Sequence, residues 1–130
     1  MKPVVIALCA LAVTACRADE TVGAYGAADR TWMLVELDGA PFEPRATLAF
    51  PEKDRIAGKA PCNSYSGAMT APYPWFEAVQ MSVTSMACPD LEAEAAFFSA
   101  LGDMTLSEVS GDTLILSTEA GREMVFKASD

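Results

Sequence analysis

The stretch that decides the fold is Pro89-Asp90-Leu91-Glu92-Ala93-Glu94-Ala95-Ala96-Phe97-Phe98-Ser99-Ala100-Leu101-Gly102. It predicts a helix, because proline suits the first helical position, acids complement the helix N-terminus and glycine ends a helix. Leu91, Ala95, Phe98 and Leu101 recur at helical spacing and predict the face that packs on the core. No other segment of the chain has so clear a helical pattern.

Short segments rich in β-forming residues surround this helix. They are residues 31–37, 46–50, 55–59, 76–84, 104–109, 113–117 and 123–127. Asp38-Gly39 is typical of a hairpin turn, whereas the proline-rich residues 60–74 predict a long loop. Closely spaced strands with short turns form an antiparallel meander. The predicted fold is therefore α+β, with one helix packed against a strongly curved antiparallel sheet.

The N-terminus has the layout of a secretory signal peptide, with Lys2 followed by an apolar run at residues 3–15. The run is about a dozen residues long, and a spanning helix needs roughly 20. Val13-Thr14-Ala15-Cys16 resembles a bacterial lipobox, in which the cysteine receives a diacylglycerol and becomes the new N-terminus. The alternative is an ordinary cleaved signal peptide with an incidental cysteine.

These features divide the chain into three parts. Residues 1–15 are the predicted lipoprotein signal peptide, 16–29 the lipid anchor and a flexible tether, and 30–130 one folded domain. We expect the protein to be held in a bacterial cell envelope by its N-terminal lipid and to face the periplasm. Many inner-membrane lipoproteins carry aspartate directly after the acylated cysteine. This chain has Arg17 at that position, and the absence of aspartate favours the outer membrane.

Charge and cysteine content narrow the class of protein further. The net charge is −9 and there is no basic cluster, so the sequence argues against nucleic-acid binding. Cys62 and Cys88 are an even pair in an exported chain, which predicts a disulfide. A redox pair would more often be Cys-x-x-Cys, and a zinc site needs about four ligands.

Candidate catalytic residues are few, because the chain has no histidine and a serine–histidine–acid triad is therefore excluded. The carboxylates Glu77, Asp90, Glu92 and Glu94 are expected on exposed positions of a strand or the first helical turn. The sequence accordingly predicts neither an enzyme nor a metal or cofactor site.

Two further groups have apolar side chains. Met81, Met86, Met104 and Met124 are predicted to fill the core. Tyr65, Tyr73, Trp75 and Phe76 give one region a high aromatic content. These aromatics either cover the disulfide and one end of the core, or form an exposed patch that binds a lipid, peptide or glycan.

Two segments carry a resemblance to a known family. Pro61-Cys62-Asn63-Ser64-Tyr65-Ser66-Gly67 and Val83-Thr84-Ser85-Met86-Ala87-Cys88 resemble the paired signatures of the META domain, also called the HslJ-like family of bacterial lipoproteins. The motif residues are Asn63, Tyr65, Gly67, Thr84 and Met86, together with the two cysteines. Residues 32–39, 56–59 and 112–116 are similar to other strands of the family. Ala60-Pro61 departs from it, since glycine is frequent there.

The resemblance implies an incomplete β-barrel with one helix, exported, lipid-anchored and linked to envelope stress such as heat shock. It implies no enzymatic activity and no cofactor, and we expect a monomer. Two functions remain open. The protein is a stress-linked binding or stabilising module, or it is a carrier or pilot-type chaperone that holds a lipid or peptide ligand on the concave face of the barrel.

Overall fold

The structure, a computed structural model, describes residues 2–4 and 18–129. Within these residues a short 3-10 helix, Val22–Tyr25, precedes nine strands and one helix. The strands are β1 Thr31–Leu37, β2 Ala40–Pro41, β3 Thr47–Ala49, β4 Arg55–Lys59, β5 Ser64–Ala68, β6 Val79–Val83, β7 Leu106–Ser110, β8 Thr113–Ser117 and β9 Glu123–Ala128. The helix, α1, is Leu91–Asp103.

The strands form one antiparallel sheet in the order β6-β5-β4-β3-β1-β9-β8-β7, with β2 paired to β1. Register shifts interrupt the β1–β9 and β5–β6 ladders, and such irregularities increase the local bend and twist of a sheet. The sheet is strongly curled into a half-barrel with α1 packed against it. This confirms the predicted α+β class.

The two ends of the sheet differ in how they are covered. Residues just before β6 run along β7, where Trp75 pairs with Leu106. The Phe76 amide donates to the Thr105 carbonyl at 2.9 Å, and the Ser107 amide donates to the Pro74 carbonyl at 2.7 Å. This segment thus covers the first part of the β7 edge, and β6 forms the other end of the strand order.

The core fills the interior of the half-barrel. Its largest fully buried side chains are Trp32, Leu34, Leu48, Ile56, Met69, Phe76, Phe97, Leu101, Met104, Leu114, Leu116 and Phe126. On β8 and β9 the buried residues alternate with half-buried or exposed ones, which is the period expected of strands with one face on a core.

The buried face of α1 differs from the predicted one. Phe97, Ala100 and Leu101 point into the core together with Glu94, while Leu91 is 45 % exposed. The prediction placed the polar first turn outside, but the helix is rotated so that Glu94 reaches a polar partner described below.

The predicted loop 60–74 was wrong in its middle, because β5 lies there. Tyr65, Gly67 and Met69 are buried in alternation with half-buried neighbours. This period of two was present in the sequence but was hidden by the surrounding prolines and serines. The predicted strand 76–84 is shorter than expected, since only Val79–Val83 forms β6.

The predicted flexible tether does not hold for residues 18–29. Val22 and Ala27 are completely buried. The Ala27 carbonyl accepts a hydrogen bond from Trp32 Nε1 at 3.0 Å, and the Glu20 carbonyl accepts one from the Tyr73 amide at 2.7 Å. Small residues had suggested a linker, but they allow the chain to pack closely on the barrel.

The signal peptide and lipid-acceptor predictions fall mainly outside the described residues, Cys16 included. In the part of the chain that the structure describes, no helix has the length and apolarity needed to cross a membrane.

Candidate functional site

The two motif segments meet at the N-terminal end of α1. Cys62 follows β4 and Cys88 follows β6, and the two form a disulfide with their Cα atoms 5.7 Å apart, as predicted. Among the described residues, no group of three or more His, Cys, Asp or Glu is placed to hold a metal ion.

The Asn63 side chain joins the segments through a complete set of hydrogen bonds. Its Oδ1 accepts from the Met86 amide at 2.6 Å and from Thr84 Oγ1 at 3.0 Å. Its Nδ2 donates to the Met86 carbonyl at 3.1 Å and to Glu94 Oε2 at 2.7 Å. Asn63 is 5 % exposed. Its side-chain partners are therefore distant in sequence.

Glu94 completes this network from the helix. It is 6 % exposed, and its Oε1 accepts from the amides of Cys62 at 3.1 Å and Asn63 at 2.7 Å. The prediction of an exposed Glu94 was wrong. Its place was visible in the spacing of Glu94, Phe97 and Leu101, which share one helical face.

A buried carboxylate is tolerated only where hydrogen bonds replace its lost hydration. Here three N–H donors do so, and all three belong to Cys62 and Asn63. Both carboxylate oxygens are occupied by the motif, so the arrangement is that of a structural acceptor. Glu77, Asp90 and Glu92 are exposed, as predicted.

Tyr65 lies inside the barrel and is not part of an exposed patch. It is 4 % exposed and its ring contacts those of Phe97 and Phe98, with centroids 5.6 and 5.4 Å away. Its hydroxyl donates to the Thr47 carbonyl at 2.5 Å, and burial raises the pKa of the phenol. The side chain crosses Gly58, where a Cβ atom would collide with both the hydroxyl and that carbonyl.

Gly67 has a similar steric role at the irregular pairing of β5 with β6. A Cβ atom there would collide with Met81 Sδ and would lie 2.9 Å from the Val79 carbonyl oxygen. These motif residues therefore allow close approach of strands and position the segment that follows β6.

Thr84 and Met86 are the motif residues of the second segment, residues 83–88. Thr84 Oγ1 accepts from the Ser64 amide at 3.0 Å while donating to Asn63. The Met86 backbone is fixed by Asn63, but its side chain is 63 % exposed. The prediction that the methionines fill the core is confirmed for Met104 and Met124, holds in part for Met81, and was wrong for Met86.

The structure does not bring the four predicted patch aromatics together. Phe76 is buried like Tyr65, and Tyr73 is half-buried. Tyr73 stacks on Tyr25 with ring centroids 4.5 Å apart. Only Trp75 of the four is exposed, at 51 %, and it lies near the opposite end of β6 from the motif.

A groove missed by the sequence prediction runs beside the motif, between α1 and the segment after β6. Its volume is about 480 Å³. Val83, Met86 and Leu91 line it and are 44, 63 and 45 % exposed. We call this surface the motif groove, with Ala95 and Phe98 as its helical wall.

The fold and this site define a small half-barrel domain in which a disulfide and a buried Asn–Glu network join two sequence motifs to the single helix. The META domain profile matches residues 26–130. The chain therefore belongs to the META domain family. No curated protein matches the sequence.

Solved structures share the fold at low identity. A protein from Burkholderia xenovorans, solved by NMR, is 20 % identical with a TM-score of 0.66, and the match covers 83 % of this chain and 87 % of that one. A second NMR structure gives 22 % identity and a TM-score of 0.62 over 78 % and 90 %. A crystal structure of a DUF4847 family protein from Bacteroides vulgatus gives 15 % and 0.63 over 84 % and 97 %.

Proposed function

We propose that this META-domain protein is a non-catalytic lipoprotein of the bacterial envelope, anchored through Cys16, whose domain binds an extended segment of a partner protein along the outer edge of β6. One observation carries the binding mode. β6 ends the strand order, and no strand among the described residues pairs with its outer edge. The stress link implied by the family resemblance stays an expectation.

The register of β6 supplies the backbone groups for such pairing. Ser82 is opposite Ser66, and the Thr84 amide donates to the Ser64 carbonyl at 3.0 Å. Alternate residues of an antiparallel strand direct their N–H and C=O groups to opposite sides. The amide and carbonyl of Val83 therefore face outward, where an added strand would bind them.

The motif groove supports a partner segment with apolar side chains. Val83, Met86 and Leu91 form its exposed apolar surface, and the Asn63 network fixes the backbone that presents Met86. A fixed surface loses little conformational entropy on binding. An extended segment on β6 would direct alternate side chains towards this groove.

Charge further specifies the partner. The exposed acids Asp90 and Glu92 flank Leu91 at the helix start, and exposed Glu77 precedes β6. The whole chain carries −9. We therefore expect the partner segment to contain lysine or arginine beside its apolar residues, since complementary charge favours association and register.

The alternative, a carrier that holds an acyl chain inside the barrel, has less support. Large side chains such as Trp32, Phe97 and Phe126 are completely buried in the interior, and an acyl chain would have to displace them. Native mass spectrometry of the secreted Cys16→Ser protein tests this alternative. A bare oxidised monomer supports surface binding, whereas a retained acyl lipid supports the carrier.

The test of the proposal uses a displayed library of 12-residue peptides selected against the Cys16→Ser protein. We expect selected peptides to combine apolar and basic residues and to shift the backbone amide NMR signals of β6. Val83→Pro removes an outward N–H that the fold does not use. It should weaken binding about ten-fold, the equivalent of one hydrogen bond.

Val83→Thr is the matched control, because it keeps the amide and the β-branched shape. It should bind within about two-fold of the parent, given the similar strand preference of the two residues. Equal affinity for Val83→Pro, or shifts confined to β7 and Trp75, would contradict binding at β6.

A further inference from the structure

The fixed residues begin almost at the proposed lipid anchor. Thr21 donates to Asp19 Oδ1 through its amide at 2.8 Å and its hydroxyl at 2.6 Å. Glu20 accepts from the Tyr73 amide. The chain is thus held against the barrel from residue 19 onward.

The distance left for a tether is short. Three peptide units join Cys16 to Asp19, and they span at most about 11 Å. A flexible linker over residues 17–29 would instead have an end-to-end distance of about 20 Å. An acyl chain on Cys16 therefore holds the surface around residue 19 in or directly beside the headgroup layer, which is roughly 5–8 Å deep per leaflet.

Two clefts lie on this end of the molecule, on either side of residues 70–75. One, of about 530 Å³, is lined by Ala18, Glu20, Lys53 and Pro72 among others. The second, of about 560 Å³, includes Ala71 and Trp75. Loop 70–75 thus connects the point where the anchor enters to the exposed tryptophan.

Aromatic exposure is concentrated near this loop. Tyr25 is 56 % exposed and stacks on Tyr73, and Trp75 is 51 % exposed. Tyrosine and tryptophan are favoured at membrane interfaces, because each combines an apolar ring with a polar tip. A lipid anchor beside Tyr25 and Trp75 would account for the exposure of these aromatic side chains.

We propose that residues 18–25 and 70–75 form a face that rests in the headgroup layer of a zwitterionic bilayer when Cys16 is acylated. The proposal rests on the anchor in the proposed function. Glu77 and Glu119 line the same cleft as Trp75, and Asp19, Glu20 and Asp54 lie near the anchor with Lys53. This charge favours the ammonium groups of phosphatidylethanolamine or phosphatidylcholine over anionic lipids.

The orientation has a consequence for the motif groove. β5 and β6 each run between the motif and the end near loop 70–75, and five residues of strand span about 17 Å. Helix α1 has 13 residues and is about 20 Å long. It runs in the same direction, from the motif to Gly102, which lines the cleft that contains Trp75. The bilayer would therefore hold β6 with its Val83 end directed away from the membrane.

The test uses full-length acylated protein in phosphatidylcholine vesicles with brominated acyl chains, which quench tryptophan at short range. Trp32 is completely buried and Trp75 is exposed, so Trp75→Phe gives the background signal. We expect at least a two-fold fall in Trp75 fluorescence. Replacing most of the phosphatidylcholine with phosphatidylglycerol that carries the same brominated chains should reduce the quenching, and equal or stronger quenching there would overturn the headgroup assignment.

Two variants separate orientation from anchoring. A 12-residue Gly/Ser insertion between Arg17 and Ala18 should abolish most of the quenching although the protein stays acylated. A reporter at the motif end, Ser85→Trp in the Trp75→Phe background, should show none. Equal quenching of Trp75 and the Ser85 reporter, or no quenching of an acylated protein, would overturn the orientation alone. An intact mass without the acyl group would overturn the anchor as well.

Discussion

The two ends of helix α1 are each held by one carboxylate, but in opposite environments. Glu94, in the first turn, is 6 % exposed and accepts from uncharged amides. Asp103 ends the helix, has a side chain 58 % exposed and pairs with Arg122 at 2.9 Å. Arg122 also pairs with Asp38 at 3.0 Å.

The difference shows where this fold obtains its specificity. Glu94 lies at the helix end that favours an anion, whereas Asp103 lies at the end that disfavours one and is balanced by Arg122. Buried donors left without a partner cost their full desolvation, while exposed ion pairs gain little against water. We therefore expect substitutions at the buried end to have much larger effects.

The largest effect is expected for Asn63→Asp. This change replaces the Nδ2 donor by an oxygen that faces Glu94 Oε2, so two carboxylates share one buried site. The free energy of unfolding should fall by about 4 kcal/mol at pH 7. Such a pair raises one folded-state pKa, so the loss should shrink as the pH falls towards 4.

Urea unfolding at several pH values measures this loss. Gln80→Glu is the matched control, because it makes the same change of charge on an exposed residue and should cost less than about 0.5 kcal/mol. Equal losses of unfolding free energy for the two variants would show that the hydrogen-bond network around Asn63 does not stabilise the N-terminal end of α1.

A double substitution tests whether the side chains of Asn63 and Glu94 interact directly. In Asn63→Asp/Glu94→Gln the new amide can donate to the new carboxylate, so the central hydrogen bond returns in reversed polarity. We expect a favourable coupling energy of about 1.5 kcal/mol in a double-mutant cycle. Rescue should be incomplete, because the Met86 carbonyl loses the donor it has in Asn63. Additive losses would argue against direct contact between the two side chains.

The disulfide should rank next. Cys62 and Cys88 are 26 residues apart in sequence, and closing such a loop stabilises a fold by about 3.5 kcal/mol in the chain-entropy model. Cys62→Ser/Cys88→Ser should lower the free energy of unfolding by this amount in the secreted Cys16→Ser protein. Dithiothreitol should destabilise the parent equally and leave the double variant unchanged. A parent insensitive to reduction would contradict this role.

The same contrast explains what the sequence could predict. β1, β4 and β8 match the predicted bounds, and the Asp38-Gly39 turn is confirmed, because alternation and turn residues are local signals. Positive φ angles of 51° at Asp38 and 82° at Gly39 suit that hairpin turn.

The candidate site is formed by contacts between residues far apart in the sequence, and the periodicity of apolar residues does not encode such contacts. Glu94 had the composition of a solvated first turn, and its burial follows from donors 31 and 32 residues away. The fixed position of residues 18–29 likewise depends on Trp32 and Tyr73. The family motif located Asn63 and Thr84, but it did not indicate that Glu94 is the helical partner of Asn63.

At the exposed end, Arg122→Gln should have a smaller effect on stability than any change above. The ion pairs of Arg122 lie in contact with water. Their contribution to the free energy of unfolding should therefore decrease further as the salt concentration rises from about 0.05 to 1 M, because salt shortens the Debye length. The Asn63→Asp loss should change little over the same range, because buried groups are screened less. Urea unfolding at both salt concentrations compares them. An Arg122→Gln loss that persists in high salt would mean that its hydrogen bonds matter more than its charge.

The smallest expected change is a local one at Asp38. The hydrogen bond from Arg122 holds the pKa of Asp38 below its usual range, with a second contribution from the Glu123 amide. A depressed folded-state pKa stabilises the fold above the unfolded value of about 3.9 and loses that effect as the pH falls through the folded value. In Arg122→Gln, a carboxyl NMR titration should show the Asp38 pKa moving up towards 3.9. It should stay below that value, because the Glu123 amide still donates at 3.1 Å. An unchanged pKa would mean that the backbone turn, and not the guanidinium, sets the ionisation at this end of the helix.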